Sequence, residues 1–168
     1  MGLDGDLYRA MVVIHILTVV FGLGPMVLAG LYAVNAEKID RRAEWAVGQV
    51  GFSVTKVAEK VVYLIFVTGA ALVFMSDDAI KFEDFWVLLS MLTYIVAIGI
   101  SHGMLVPNER RMNVLREELA TLETGGLTAE PEQEVELKDR TKRAAAMGGV
   151  LNLLIVFLVY LMVFKPTL

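Results

Sequence analysis

The sequence predicts an all-α integral membrane protein, a bundle of four transmembrane helices with both termini outside. Hydrophobic residues make up 57% of the 168 residues, which exceeds the roughly 45–50% that is usual in soluble domains. These residues are concentrated in four runs, and a helix needs about 20 mostly apolar residues to cross a bilayer. The basic residues between the runs are distributed unevenly, which sets an orientation. We therefore expect residues 1–168 to form a single four-span domain.

The predicted spans are apolar around their whole circumference, whereas a helix of a soluble bundle keeps a polar stripe for water. Lipid is therefore the solvent that suits these helices. The spans are predicted at residues 8–34, 46–75, 85–106 and 144–164. The chain has no cysteine, which excludes disulfides, thiolate metal sites and cysteine nucleophiles.

Lysine and arginine residues set the predicted orientation, because short cytoplasmic loops are enriched in them. Twelve lie in or beside the loops that follow the first and third spans: Lys38, Arg41, Arg42, Lys56, Lys60, Arg110, Arg111, Arg116, Lys138, Arg140, Lys142 and Arg143. Three lie on the opposite side: Arg9, Lys81 and Lys165. Both basic loops are therefore predicted to be cytoplasmic, and the acidic segment 77–84 is predicted to lie outside.

The loop between the third and fourth spans, residues 107–143, is predicted to form a cytoplasmic helical hairpin. Apolar residues recur among its charges at helical spacing: Met112, Leu115, Leu119 and Leu122. Gly125 and Gly126 end that helix, and a second helix is expected from near Ala129 into the fourth span. We expect the two helices to pack through four apolar residues: Leu115, Leu119, Val135 and Leu137. A solvated charged face is the competing interpretation.

The chain has two histidines, His15 and His102, and both lie within predicted spans. An ionisable residue inside a span is costly and is therefore a candidate for function. At 1.5 Å per residue, His15 lies about 10 Å from the outer end of its span, and His102 about 6 Å from the cytoplasmic end of its span. The resulting separation of roughly 15 Å along the membrane normal disfavours one haem held by both.

Polar residues at matching depths define two candidate binding sites. The outer site contains His15, Thr18, Thr68, Ser90 and Tyr94. The inner site, a weaker candidate, contains His102, Glu59, Lys60 and Asn152.

Helical spacing places His15 on one face of its helix with Thr18, Gly22 and Pro25. Such a face suits helix contact better than lipid contact. The imidazole is therefore expected to point into the bundle, toward Thr68, Ser90 or Tyr94. Close packing through small residues around a hydrogen-bonded structural histidine would produce the same face.

Two short motifs give the chain a family resemblance. His15 stands in residues 13–17 (VIHIL) and is followed by Gly22 and Gly24, and residues 161–166 (LMVFKP) contain the end of the last span. This pattern resembles a bacterial family of predicted integral membrane proteins, filed as domain of unknown function 2269. It is similar, more distantly, to HemJ-type protoporphyrinogen oxidases and to the membrane domain of CopD-like copper proteins.

The resemblance implies a multi-pass protein of the bacterial cytoplasmic (inner) membrane. In HemJ-type proteins the histidine of the first helix is implicated in binding haem b, so the resemblance implies His15 as an axial haem ligand. Aromatic residues that are common near that histidine are absent here, since residues 16–20 read ILTVV.

Several functions remain open at this point. The first is binding of haem b or a porphyrin-type ligand in a redox role, and the second is a non-catalytic membrane protein or accessory subunit of a larger assembly. The third is copper handling through His15, Met11 and Met26, and a channel or transporter is the fourth.

Whether the protein is an enzyme stays open. The expected partners are the lipid bilayer and a homo-oligomer or larger membrane complex, with no nucleic acid.

Overall fold

The computed structural model describes residue 3 and residues 5–166, without the side chains of residues 26, 29–31, 33, 34, 36 and 37. All regular secondary structure in this part of the chain is helical. The helices are α1 (Asp6–Glu37), α2 (Arg41–Met75), α3 (Phe85–Ile100), α4 (Val106–Thr124) and α5 (Pro131–Phe164). A π-helical turn, Ser101–Leu105, joins α3 directly to α4.

The prediction of four helices that can span a membrane is confirmed. Helices α1, α2 and α5, and the continuous helix made by α3, the π-helical turn and α4, are each long and apolar enough to do so. The helix ends follow from local chemistry. The side chain of Asp40 accepts a hydrogen bond of 2.6 Å from the Ala43 N–H, which caps α2 and starts it at Arg41, ahead of the predicted span. Pro131 begins α5, where a missing N–H costs nothing, close to the start predicted near Ala129.

Large apolar side chains point outward along the helices. Phe21 is 65% exposed, Phe74 78%, Leu153 71% and Val163 69%. Exposed apolar surface on this scale is unfavourable in water. The distribution is therefore that of helices solvated by the hydrocarbon of a bilayer.

The chain forms two compact units, and each takes a part of every long helix. The first unit comprises Met1–Met26, Thr55–Ile95 and Leu154–Leu168. The second unit comprises Val27–Val54 and Val96–Leu153. All residues of the predicted outer site belong to the first unit, and the hairpin belongs to the second.

The hairpin predicted at residues 107–143 is present as α4 and the first part of α5. Its buried core consists of Met112, Leu115, Leu119 and Leu137. The expectation that Val135 joins this core is wrong, because Val135 is 59% exposed. Residues two positions apart on a helix are rotated by roughly 200° about its axis, so Val135 and the buried Leu137 face nearly opposite sides of α5. The cytoplasmic location of the hairpin stays a prediction.

Candidate polar site at His15

The predicted outer site lies where α1 and α2 approach closely in the first unit. Gly22 is buried, and a Cβ added there would lie 3.3 Å from both Ile65 Cδ1 and Val61 Cγ1. Gly69 faces the His15 ring, and a Cβ at Gly69 would lie 3.4 Å from the ring Cε1. Glycine at both positions lets the two backbones come close enough for short polar side chains to bond each other.

His15 is 8% exposed and points toward α2, as predicted. Its Nδ1 lies 2.8 Å from Thr68 Oγ1. The Thr18 hydroxyl donates a hydrogen bond of 2.7 Å to the His15 carbonyl, and it lies 3.4 Å from Thr68 Oγ1. These residues form a connected group, which we call the His15 cluster: His15, Thr18 and Thr68.

The hydrogen bonds of Thr68 favour one tautomer of the His15 ring. The Thr68 hydroxyl has one proton, and the Leu64 and Ile65 carbonyls lie 2.7 Å and 3.2 Å from its Oγ1, the usual bonds of a threonine to the preceding helical turn. When the proton is directed to Leu64, Thr68 Oγ1 accepts from Nδ1 and Nε2 keeps its lone pair. Nε2 forms no hydrogen bond with any residue that the structure describes.

Ser90 and Tyr94, also expected at this site, lie in the same unit but direct their hydrogen bonds elsewhere. The Ser90 hydroxyl donates to the Trp86 carbonyl at 2.7 Å. The Tyr94 hydroxyl donates to the Val62 carbonyl at 3.0 Å, and its ring stacks on Phe66 with centroids 5.7 Å apart. Tyr94 therefore ties α3 to α2 and supports the first unit around the His15 cluster.

The residues of the weaker inner site are divided between the two units. Glu59 and Lys60 belong to the first unit, whereas His102 and Asn152 belong to the second. Lys60, His102 and Asn152 are exposed, and Glu59 is half-buried. A shared binding site for these residues stays a prediction.

A buried polar cluster in the second unit was missed by the sequence analysis. Arg116 of α4 is 6% exposed and donates a hydrogen bond of 2.9 Å to Glu44 of α2. Asn113 is 7% exposed, and its side-chain amide forms no hydrogen bond with any part of the chain that the structure describes. Both residues pack against Gly48, where a Cβ would lie 3.0 Å from Asn113 Oδ1 and 3.3 Å from the Arg116 guanidinium.

Helical spacing was the signal that could have identified Arg116. It lies four residues after Met112 and three before Leu119, so it shares the apolar face of α4 with both. In the sequence analysis it counted only as a basic residue of the loop. An arginine on a buried face needs an acidic partner, and Glu44 provides it.

Glu136 of α5 binds two arginines on the surface of the hairpin. Arg111 donates to it from Nε at 3.1 Å and from Nη2 at 2.9 Å, and Arg140 donates from Nε at 2.8 Å. The hydrogen bonds from Arg111 and then Arg140 favour the charged carboxylate, which lowers the pKa of Glu136 to about 2. The Arg111 pair joins α4 to α5, whereas Arg140 lies on the same helix as Glu136, and surface pairs of this kind add little stability.

Among the described residues, no group of three or more histidine, aspartate or glutamate side chains is arranged to hold a metal ion. The side chain of Met26, which was considered with Met11 and His15 for copper, lies outside the described part of the chain.

Residues 9–166 match the profile of a family described as predicted integral membrane protein, DUF2269. The chain belongs to this family. The matched region includes both the His15 motif of α1 and the Lys165-Pro166 motif after α5. Comparison of this DUF2269 chain with curated proteins and with solved structures yields no significant match.

The protein is an integral membrane protein. This class is indicated both by the DUF2269 family and by the four apolar helices. The orientation, the bacterial inner membrane as its location and the more distant likeness to HemJ-type and CopD-like proteins stay predictions.

Proposed function

We propose that this DUF2269 protein binds haem b, or a porphyrin-type ligand of similar chemistry, through Nε2 of His15 and serves a redox role in the bacterial cytoplasmic membrane. The observation that carries the proposal is that Nε2 of His15 has no hydrogen-bond partner among the described residues. Thr68 occupies the other ring nitrogen, and no described residue bonds Nε2. A purely structural histidine in a span would be expected to use both of its nitrogens.

The surroundings of His15 fit the requirements of an axial haem ligand. A metal-binding histidine usually donates its second ring N–H to an acceptor that fixes the orientation of the ring. The Thr68 hydroxyl is placed to accept that bond. The Cε1 edge of the ring packs against Gly69, where an added Cβ would lie 3.4 Å away, so the ring is held by one polar bond and close backbone packing.

A bound haem b would supply one-electron redox chemistry. The residues of this chain would contribute binding and orientation. Thr68 would hold the ring through Nδ1 and leave Nε2 to the ligand, and the apolar Val61 and Ile65 pack against Gly22, two turns along α1 from His15. The first unit contributes a single imidazole, because the second histidine of the chain, His102, belongs to the other unit.

The test is the absorbance of protein purified from cells grown with ample haem, followed by titration with haemin. The wild type and His102→Ala are expected to show a Soret band and to bind haemin. His15→Ala is expected to show neither, while its far-ultraviolet circular dichroism stays helical. The His102→Ala variant is the matched control, because it removes the only other imidazole of the chain.

A colourless wild-type protein that also fails to bind added haemin would refute the proposal. Equal haemin binding by the wild type and His15→Ala would refute His15 as the ligand.

A non-catalytic accessory subunit is the second candidate, and the ordered hairpin favours it. The hairpin has its own apolar core, yet it exposes Val114, Leu127 and Val135 at 46%, 63% and 59%. These side chains lie outside the predicted spans, where they are available for contact with another protein. The haemin titration separates the two candidates, because an accessory subunit would bind no haemin and His15→Ala would then change only its stability.

A further inference from the structure

The turn between α2 and α3, residues 76–84, borders a cavity of about 320 Å³ together with the end of α2. Small-molecule sites range from about 300 to 1,000 Å³, so the cavity is large enough for a small ligand. Two aromatic rings and three charged side chains line it: Phe74, Phe82, Asp78, Lys81 and Glu83. All five residues belong to the first unit. We call this space the turn cavity.

The turn is held in shape by its own hydrogen bonds. Ser76 is 0% exposed, and its hydroxyl accepts a hydrogen bond of 3.0 Å from the Ile80 N–H. The carboxylate of Asp84 accepts one of 2.9 Å from the Lys81 N–H. The turn cavity is therefore formed by the fold of the chain itself and does not require a ligand to order it.

The charged groups of the turn cavity are not paired with one another. The side chains of Asp78, Lys81 and Glu83 form no hydrogen bond or ion pair with any residue that the structure describes. Phe74 and Phe82 meet edge to face with ring centroids 5.1 Å apart, and the face of an aromatic ring attracts a cation. The two carboxylates and the rings suit an ammonium group, and the lysine suits a phosphate. The lining thus matches a ligand that carries both charges.

The turn cavity lies at the height of the lipid headgroups. The turn joins two helices that are each long and apolar enough to span a membrane, so it meets a membrane surface in either orientation. At this end of the first unit Lys165 Nζ lies 5.5 Å from the centre of the Trp86 ring, and lysine and tryptophan are the usual anchors of a membrane interface. A phospholipid is therefore the zwitterion that reaches the turn cavity most readily.

We propose that the turn cavity binds the headgroup of a phospholipid with a primary ammonium, of the phosphatidylethanolamine type. The ammonium donates hydrogen bonds to Asp78 and Glu83, and Lys81 donates to the phosphate. The acyl chains continue beside the ring of Phe74, which is 78% exposed.

Two observations limit the alternatives. Among the described residues, no three histidine, aspartate or glutamate side chains are arranged to hold a metal ion, and Lys81 would repel a divalent cation at this site. The proposal does not depend on haem, because it uses no residue of the His15 cluster.

Native mass spectrometry of the purified protein in detergent micelles, titrated with lipid, tests the proposal. The probes are phosphatidylethanolamine and phosphatidylcholine with the same acyl chains. Phosphatidylethanolamine is expected to bind about three- to tenfold more tightly, because the trimethylated ammonium of phosphatidylcholine has no N–H to donate. Equal or tighter binding of phosphatidylcholine would overturn the proposal.

Water-soluble phosphoethanolamine separates a lipid ligand from a free one, since it has both charged groups and no acyl chains. At the concentration of the lipid it is expected to leave the binding of phosphatidylethanolamine unchanged. Displacement of the lipid at that concentration would overturn a lipid as the occupant.

Two neighbouring aspartates provide a matched pair of variants. Asp77 and Asp78 have φ of 58° and 63°, which asparagine also tolerates, but only Asp78 lines the turn cavity. Asp78→Asn is expected to lower the affinity for phosphatidylethanolamine about three- to tenfold, and Asp77→Asn, which removes the same charge, is expected to leave it unchanged. Glu83→Gln repeats the test at a second lining carboxylate. Equal affinities for Asp77→Asn, Asp78→Asn and Glu83→Gln would overturn the proposal.

Discussion

The Nδ1 atom of His15 lies 2.8 Å from the hydroxyl oxygen of Thr68, which joins α1 to α2 inside an otherwise apolar region. When the Thr68 proton is directed to the Leu64 carbonyl, this bond places the ring proton on Nδ1 and leaves Nε2 with its lone pair. Thr68 therefore orients the ring of His15. A substitution at Thr68 should therefore change the orientation of the His15 ring and its affinity for a ligand, although His15 itself is unaltered.

Replacing Thr68 with valine removes the acceptor for Nδ1 while nearly preserving the size of the side chain. We expect haemin affinity to fall about 10- to 100-fold, the usual effect of losing a group that orients a metal-bound histidine. Thr68→Ser should retain most of the affinity, since it keeps the hydroxyl. Ser90→Ala is the matched control, because Ser90 donates only to the backbone of α3. Titration with haemin measures all of these variants, and equal affinities for Thr68→Val and Ser90→Ala would contradict the role given to Thr68.

The close contact of α1 and α2 predicts different outcomes at two nearby glycines. A side chain at Gly22 meets Ile65 and Val61 at 3.3 Å, whereas a Cβ at Gly24 meets nothing within 4 Å in the described chain. We expect Gly22→Leu to lower the free energy of unfolding by about 1–3 kcal/mol, the usual cost of overpacking. Gly24→Leu should have a much smaller effect. Unfolding in mixed micelles, followed by circular dichroism, provides the comparison, and similar losses at the two glycines would argue against a tight crossing at Gly22.

The buried pair of Arg116 and Glu44 should contribute strongly to the stability of the second unit. Removing one partner leaves a buried charge uncompensated, so Arg116→Met is expected to cost about 3–5 kcal/mol in the free energy of unfolding. Adding Glu44→Leu to that variant should recover a large part of the loss, because no unpaired charge is then buried. Arg111→Met is the control, since its pair with Glu136 lies on the surface, and it should change stability little. If Arg111→Met and Arg116→Met were equally damaging, burial would not be the cause.

The predicted orientation can be tested by labelling single cysteines in intact cells. Gly125→Cys should be protected from an impermeant reagent, because the charge asymmetry places the hairpin in the cytoplasm. Glu83→Cys, in the turn between α2 and α3, should be labelled from outside. Glu83 is preferable to Asp78, whose φ of 63° would strain a cysteine. Labelling of Gly125→Cys from outside, with Glu83→Cys protected, would reverse the orientation and leave the four helices unchanged.

The sequence alone determined the features that depend on local periodicity and composition. Uninterrupted apolar runs identified the four membrane-spanning helices, and helical spacing identified the hairpin and the shared face of His15, Thr18 and Gly22. These features follow from residues a few positions apart, because a helix repeats every 3.6 residues whatever it packs against.

The tertiary structure decided which side chains of different helices meet. Depth alone left Thr68, Ser90 and Tyr94 as equivalent partners for His15, and only the rotation and spacing of α1 and α2 selected Thr68. The same kind of contact buries Arg116 against Glu44 of a distant helix, while Asn152 is left facing outward. The physical reason is that helix rotation is set by packing between segments far apart in the chain. Residue spacing within one helix carries no information about that packing.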